Sequence, residues 1–175
     1  MKIKYKTNEK YWYALHRSRE ITMFEQPKII TAEISLGCNM TYDTENLYHN
    51  TKCYTILFDE TYKKNAMAYL AILNSNVLWF FLSQTGYVLR GGFFCFKTKY
   101  LEPFPLPELD ELSSQKLSSL AEQQLSAHKQ LVEAKSDADK SLLEQRIQIL
   151  DSQINTAVYK LYGLTPEEIK IVEGQ

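Results

Sequence analysis

Apolar and polar residues follow one pattern in the first part of the chain and a different one after a proline-rich segment. Residues 28–35 alternate Ile or Ala with Thr or Glu, as in a half-buried strand, and Pro27 precedes them. Residues 39–43 and 53–58 are two more strand candidates. Between these two, residues 43–46 read Asp-Thr-Glu-Asn, and short Asx side chains favour turns because they bond to their own backbone. The pattern therefore predicts a small sheet.

A buried helix and a second hairpin are expected next. From residue 65 to residue 83 the apolar positions recur at spacings of three and four, which predicts one helix buried along a broad face. Gly86 is placed to end this helix. Residues 87–90 and 93–99 are strand candidates, and Gly91-Gly92 between them is a permissive hairpin turn.

The pattern becomes helical after three prolines, at positions 103, 105 and 107, which remove backbone donors and hold the chain extended. Two series of residues then follow a and d spacing, which predicts two amphipathic helices. The first series is Leu117, Leu120, Gln124, Ala127, Leu131 and Ala134, and the second is Leu143, Ile147, Leu150, Ile154, Val158 and Leu161.

A break between these helices is predicted at Ser136, which is followed three residues later by an acid, as at a helix N-cap. A helical hairpin results. One long helix is the alternative, because no Gly or Pro forces the turn. Gly163 closes the second helix as a left-handed cap, and Thr165-Pro166 starts a short third helix with first-turn acids after it.

These elements predict an α+β fold for the 175 residues. A mixed sheet with a buried helix would form a recognition domain at residues 1–107, and a helical hairpin spacer with a short terminal helix would follow at residues 108–175. The length suits one domain with an appended element and excludes a large multidomain enzyme.

Charge divides at the same place. Residues 1–105 contain thirteen basic and nine acidic side chains, a net charge of +4, whereas residues 106–175 contain seven basic and twelve acidic, a net charge of −5. A basic first part suits a polyanion such as DNA, which the acidic second part would repel. Two ordinary solvated surfaces are the alternative interpretation.

Cysteine usage and the N-terminus indicate a cytoplasmic protein. Cys38, Cys53 and Cys95 form no C-x-x-C pair, so neither a zinc knuckle nor a disulfide framework is indicated. The lysine-rich residues 1–6 lack a following apolar core, which argues against a secretory leader. The most apolar stretch, residues 66–82, is too short for a comfortable membrane span.

No local group of residues points to catalysis. His16, His49 and His128 lie far apart in different predicted elements, and the phosphate-loop, dinucleotide and H-E-x-x-H motifs are absent. The Glu-x-Lys fragments at 133–135 and 168–170 resemble a nuclease fragment but fit solvated helix faces better. We therefore expect neither a catalytic residue nor a metal site.

A basic and aromatic set does accumulate in the first part of the chain. Arginine and lysine neutralise phosphates, arginine and asparagine bond to base edges, and aromatic rings stack on bases. Core packing is the alternative for each aromatic residue. The candidate DNA-binding residues are Trp12, His16, Arg17, Arg19, Lys28, Asn50, Lys52, Tyr87, Arg90, Lys97 and Lys99.

Several segments, in this order, resemble a known family. They are Pro-Lys-Ile-Ile at 27–30, the turn-rich residues 42–51, Tyr-Leu-Ala-Ile-Leu-Asn-Ser at 69–75, Gly-Gly at 91–92, Tyr-Leu-Glu-Pro-Phe-Pro-Leu-Pro at 100–107 and Val-Tyr-Lys-Leu-Tyr-Gly-Leu-Thr at 158–165. The chain is similar to the TaqI-like C-terminal specificity domain of adenine-specific DNA methyltransferases and of type IIG enzymes, which join restriction and modification in one polypeptide. The resemblance covers residues 25–174.

The resemblance implies sequence-specific recognition of double-stranded DNA, with side chains that vary with the target. Active members of this class carry a glycine motif for S-adenosylmethionine and an Asn-Pro-Pro-Tyr/Phe tetrapeptide, and this chain has neither. It is expected to hold no cofactor and not to methylate DNA alone. S-adenosylmethionine, with Mg²⁺ if a nuclease is present, would belong to a catalytic module that precedes this fragment in the parent chain.

Two other functions fit the same sequence. The acidic hairpin would make the chain a coiled-coil protein-interaction module if the first part were only a scaffold, and self-association through the helices would follow. A fragment of a type I restriction specificity subunit is the second alternative, and that class carries two recognition modules.

Overall fold

The computed structural model describes residues 20–174. Within them it shows an α+β fold, as the sequence predicts, with two small antiparallel sheets and seven α-helices. The strands are β1 (Lys28–Ala32), β2 (Ile34–Ser35), β3 (Thr41–Asp43), β4 (Cys53–Ile56) and β5 (Phe94–Cys95). The helices are α1 (Glu60–Lys63), α2 (Ala66–Leu73), α3 (Asn76–Thr85), α4 (Thr98–Leu101), α5 (Glu111–Glu133), α6 (Asp137–Leu161) and α7 (Pro166–Val172), and a 3-10 turn (Ile21–Met23) precedes β1.

The predicted strand at residues 28–35 serves both sheets. Its first part, β1, is the middle strand of the order β3-β1-β4, and its last part, β2, pairs with β5. Glu33 lies at the bend between them. Its N–H donates to the carbonyl of Lys52 at 2.7 Å, and its carbonyl accepts from Phe96 N–H at 2.8 Å. The bend residue therefore ties the two sheets together.

The single helix predicted for residues 65–83 is wrong, because the chain bends by 55° between α2 and α3. Asn74 uses its side-chain amide to bond both the N–H and the carbonyl of Met40, at 2.8 and 2.9 Å. Ser75 Oγ donates to the carbonyl of Ile72 at 2.7 Å, and Asn76 N–H donates to Asn155 Oδ1 at 2.8 Å. Side chains here compete with the helical backbone ladder, which explains the break.

Among residues 20–174, no single helix is long and apolar enough to cross a bilayer, and only α2 and α3 taken as a bent pair reach that length and composition.

The predicted hairpin at residues 87–99 forms only in part. Gly91 and Gly92 make the turn, with φ of 91° and 79°, a region that residues with side chains rarely adopt. The strands are shorter than expected: within the described residues the two arms share a single isolated bridge, from Val88 to Phe94, and residues 94–95 form β5, which also pairs with β2. The chain then turns into α4 at Thr98, so the predicted strand ends earlier.

The predicted helical hairpin is confirmed. Ser136 Oγ accepts from Asp139 N–H at 3.0 Å and caps α6, which separates it from α5. Gly163 adopts φ 67° after α6, and Thr165 with Glu168 forms a capping box at the start of α7.

One continuous core joins the hairpin to the sheet. Leu117 and Ala121 of α5 and Leu150 and Val158 of α6 are at most 3% exposed, and they belong to the same apolar cluster as Leu70 of α2. Seven of the twelve a/d residues that a coiled-coil module would use between molecules are thus buried within the chain, and the other five are half-buried. The division at residue 107 marks a change of pattern, and its status as a domain boundary stays a prediction.

Candidate nucleic-acid interface

Two of the candidate lysines meet at Glu33, at the bend between the sheets. The Glu33 carboxylate lies 3.5 Å from Lys52 Nζ and 3.2 Å from Lys97 Nζ, and its side chain is 16% exposed against 77% and 44% for the lysines. The hydrogen bond from Lys97 holds the pKa of Glu33 below its usual value. The same bond raises the pKa of Lys97. Both lysine side chains therefore remain open to solvent while they contact the same carboxylate.

A concavity of about 360 Å³ lies beside this ion pair. Tyr87, Lys97 and Lys99 line it together with Glu33 and Tyr100. Lys99 Nζ lies 4.5 Å from the centre of the Tyr100 ring, which places its charge over the aromatic face. Tyr87 is 59% exposed. The structure thus gathers three sequence-predicted residues around one hollow and joins Lys52 to them through Glu33.

Asn50 and Arg90 lie on exposed loops. Asn50 Oδ1 accepts from Lys52 N–H at 2.9 Å, whereas its side-chain N–H groups donate to no residue among 20–174. Arg90 lies on the turn before Gly91, next to Leu89, which lines the concavity. Within residues 20–174, no carboxylate forms a salt bridge with Arg90.

Lys28 is not available to DNA, and its place among the candidates is corrected. Its side chain is completely buried and forms an ion pair with Asp43, while its ammonium also donates to the carbonyl of Phe24 at 2.8 Å. Asp43 also accepts the N–H groups of Glu45 and Leu47. Burial raises the pKa of Asp43, but the bond from Lys28 and these two N–H donors outweigh it and leave the pKa lowered. Lys28 is therefore a structural residue.

The remaining candidates, Trp12, His16, Arg17 and Arg19, lie outside the described residues. Residues 1–19 contain six basic side chains and one acidic, whereas residues 20–105 contain seven basic and eight acidic. The positive excess of the first part thus comes from these nineteen residues.

Sequence reasoning missed Glu33, whose role depends on contacts across two sheets. Its alternation with Thr and Ile placed it in a strand, but the pattern gave no sign that two lysines from distant segments converge on it. Tyr100 was missed for the same reason.

A larger concavity of about 490 Å³ lies away from the lysines, between α2 and the helical hairpin. Gln124 Nε2 donates there to Asp151 Oδ1 at 2.6 Å, and Gln124 Oε1 is buried without a hydrogen-bond partner among the described residues. Burial raises the pKa of Asp151. No group of three or more His, Cys, Asp or Glu residues in the part of the chain that the structure describes is arranged to hold a metal ion.

Comparison with protein families gives a match to the TaqI-like C-terminal specificity domain over residues 1–106. The chain belongs to this family. Membership in this family implies DNA target recognition in restriction-modification enzymes. No curated protein matches the chain.

We call the surface formed by Lys52, Tyr87, Lys97 and Lys99 the lysine face. It lies wholly within the residues that match the TaqI-like specificity domain. Lys52, Tyr87, Lys97 and Lys99 all precede residue 106, whereas α5, α6 and α7 follow it. The part of the chain that matches the DNA-recognition family is thus also the part that contains the lysine face.

Proposed function

We propose that this chain recognises a specific duplex DNA sequence as the target-recognition part of a type IIG restriction-modification enzyme or of an N6-adenine DNA methyltransferase, and that it is not catalytic by itself. The observation that carries the proposal is the cluster of Lys52, Lys97 and Lys99 with Tyr87 on one face of the family-matched region.

Phosphate contacts from this face supply affinity. Three lysines and Glu33 give it a net charge of +2, and the salt bridges to Glu33 hold Lys52 and Lys97 side by side at the surface. Each neutralised phosphate releases counterions, which makes such binding strongly salt-dependent. The basic residues 1–19 add to this term through Arg17 and Arg19.

Base choice comes from a few neighbouring side chains. Arg90 has a free guanidinium fork in the described part of the chain, and such a fork suits the two acceptors of guanine. Asn50 has amide donors to offer, and Tyr87 presents an exposed ring that suits stacking. Phosphate contacts position the domain, and these contacts specify the sequence.

Catalysis belongs to another module in this proposal. The Asn-Pro-Pro-Tyr/Phe tetrapeptide that holds the target adenine in the methyltransferase class is absent from the sequence, and no two of its prolines are adjacent. S-adenosylmethionine, and Mg²⁺ for any nuclease step, are accordingly placed in that module. The recognition domain presents the adenine to it.

The helical hairpin packs against that module or a second subunit. Most of its a/d residues are buried between α5, α6 and α2, so the fully exposed side chains left for such a contact are on its outer face. Leu142 and Ile149 are one heptad apart on α6 and are 67% and 59% exposed. This spacing puts both on one stripe of the helix.

The test is a titration of the full chain into a library of short duplexes with a randomised centre, at low and at moderate salt. We expect binding that weakens steeply with salt and retains a sequence preference. Absence of binding at low salt would overturn the proposal, and binding without any preference would leave only the electrostatic part.

Single-lysine variants test whether the lysine face is the surface that contacts DNA. Lys97→Ala and Lys99→Ala should each weaken binding and reduce the slope of log affinity against log salt by about 0.9 for each lost phosphate contact. Lys129→Ala, an exposed lysine on α5, is the matched control and should change neither. Equal effects at all three positions would contradict the placement.

A further inference from the structure

The outer edge of β4 is an unpaired strand edge in the part of the chain that the structure describes. Glu33 N–H bonds to Lys52, and the register continues in steps of two to Tyr54 and Ile56, so these residues direct their backbone groups toward β1. Thr55 and Leu57 therefore direct their N–H and carbonyl groups outward. Among residues 20–174 neither has a backbone hydrogen bond on that side.

An apolar groove runs along this edge. Two adjoining concavities of about 270 and 250 Å³ share Ile56 and Leu106. Their apolar walls are Leu73, Leu101, Phe104, Phe58 and Tyr69. Leu57 is 42% exposed and Leu106 is 46% exposed, so apolar surface faces solvent beside unpaired backbone groups.

The far wall of the groove is not hydrogen-bonded to β4 in the part of the chain that the structure describes. It is the proline segment, in which Pro103, Pro105 and Pro107 have no N–H to donate. The carbonyls of Pro105 and Pro107 already accept from the hydroxyls of Tyr162 and Tyr69, at 2.7 and 3.2 Å. The segment is thus held in place by these hydroxyls, and among residues 20–174 the strand edge stays open.

Carboxylates border the apolar groove. Asp59, Glu102 and Glu108 line it, and neither lining set contains a lysine or an arginine. The negative charge of Glu108, at 3.2 Å from the Tyr62 hydroxyl, raises the pKa of that tyrosine. These carboxylates repel a nucleic acid and attract a basic segment. The groove also shares no lining residue with the lysine concavity.

We propose that an extended segment of a partner polypeptide, in which apolar residues alternate with lysine or arginine, adds to the edge of β4 as a further strand. Main-chain bonds to Thr55 and Leu57 supply affinity, as in other additions of a strand to a sheet edge. Because successive side chains of a strand point to opposite faces, the apolar ones enter the groove while the basic ones point away from its floor, where their long stems reach the exposed carboxylates at its rim, Asp59, Glu102 and Glu108. This surface is separate from the DNA-binding face.

The test uses the full chain and the peptide acetyl-Lys-Val-Lys-Val-Lys-Val-amide, followed by NMR of the protein amides. We expect shifts centred on Thr55 and Leu57 and saturation below about 1 mM peptide. Two further peptides carry N-methyl groups at either the odd or the even amides. Alternate amides of a strand face opposite edges, so only one of these two should lose binding.

A charge-reversal variant tests whether the carboxylates at the rim of the groove attract the basic peptide. Glu102→Lys should weaken binding of the unmethylated peptide about threefold to tenfold, because it replaces an attraction by a repulsion. Glu122→Lys on α5 is the control and should leave affinity unchanged. No saturation near 1 mM, equal behaviour of the two methylated peptides, or equal affinities of the two charge variants would each overturn the proposal.

Discussion

The buried pair of Lys28 and Asp43 gives a prediction that separates a structural lysine from a DNA-binding one. Lys28→Met keeps most of the side-chain volume and removes the charge, which leaves the Asp43 carboxylate with two backbone donors, Glu45 N–H at 2.8 Å and Leu47 N–H at 2.9 Å. Asp43→Leu has a harsher effect. It leaves a buried ammonium whose remaining described partner is the carbonyl of Phe24, and it orphans both N–H groups.

The two variants should therefore lose different amounts of the free energy of unfolding. Breaking one side of a buried ion pair costs about 3–5 kcal/mol, mainly because the remaining charge is buried without its partner. Lys28→Met should lie near the lower end, since Asp43 keeps two donors, and Asp43→Leu near the upper end. At roughly 2–4 °C per kcal/mol for a chain of this size, the melting temperature should fall by about 6–12 °C and about 10–20 °C respectively.

The pH dependence has a definite sign. The pKa of Asp43 in the folded chain lies below its ordinary value of 3.8. Stability from this carboxylate is therefore fully present above that ordinary value and is lost as the pH falls through the lowered pKa. Lys28→Met removes one cause of the lowering, so this variant should lose less stability in the same acidic window.

The assay is urea unfolding at neutral and acidic pH, with DNA affinity measured on the folded fraction. Lys129→Met, on the exposed face of α5, is the control for removal of a lysine charge. If Lys28→Met keeps wild-type stability but loses DNA affinity, the structural assignment of Lys28 is wrong.

Three further predictions concern the lysine face and two local backbone features. Glu33→Gln should strengthen non-specific DNA binding at low salt and lower the pKa of Lys97, because Glu33 raises that pKa now; unchanged affinity in a filter-binding assay would contradict this. Gly92→Ala should destabilise the fold by about 1–2 kcal/mol, since its φ of 79° disfavours a side chain, whereas no loss in thermal unfolding would show that the turn tolerates one. Asn74→Ala should cost about 1–3 kcal/mol, because two backbone groups of Met40 lose their partner. Ser83→Ala, an exposed position on α3, should cost less in the same denaturation experiment.

Local signals predicted much of the fold. The Ser136 cap, the Gly163 cap and the helix start at Thr165-Pro166 depend on residues within four positions of each other, and all three appear as expected. The glycine turn at 91 and 92 is of the same kind. Where the outcome depended on partners far along the chain, prediction was wrong: Asn74 bends the expected long helix because it bonds to Met40, thirty-four residues earlier.

The candidate interface shows the same division. Residue type alone nominated Lys52, Tyr87, Lys97 and Lys99, because exposed cations and aromatic rings are what DNA binding requires. Lys28 was nominated on the same ground and is buried. The position of a lysine at the start of a predicted strand does not indicate that a buried carboxylate lies opposite it.

The sequence by itself determined that this chain combines small strands with a helical hairpin, where the hairpin helices are separated and the terminal helix begins, and that it belongs to a DNA specificity family. These properties arise from periodicity, capping and motif order, which act over short distances. The tertiary structure decided which lysines are exposed, that Glu33 joins Lys52 to Lys97, and that the hairpin shares a core with α2. Burial and ion pairing depend on which distant segments come into contact in the folded chain. Local sequence patterns do not predict those long-range contacts.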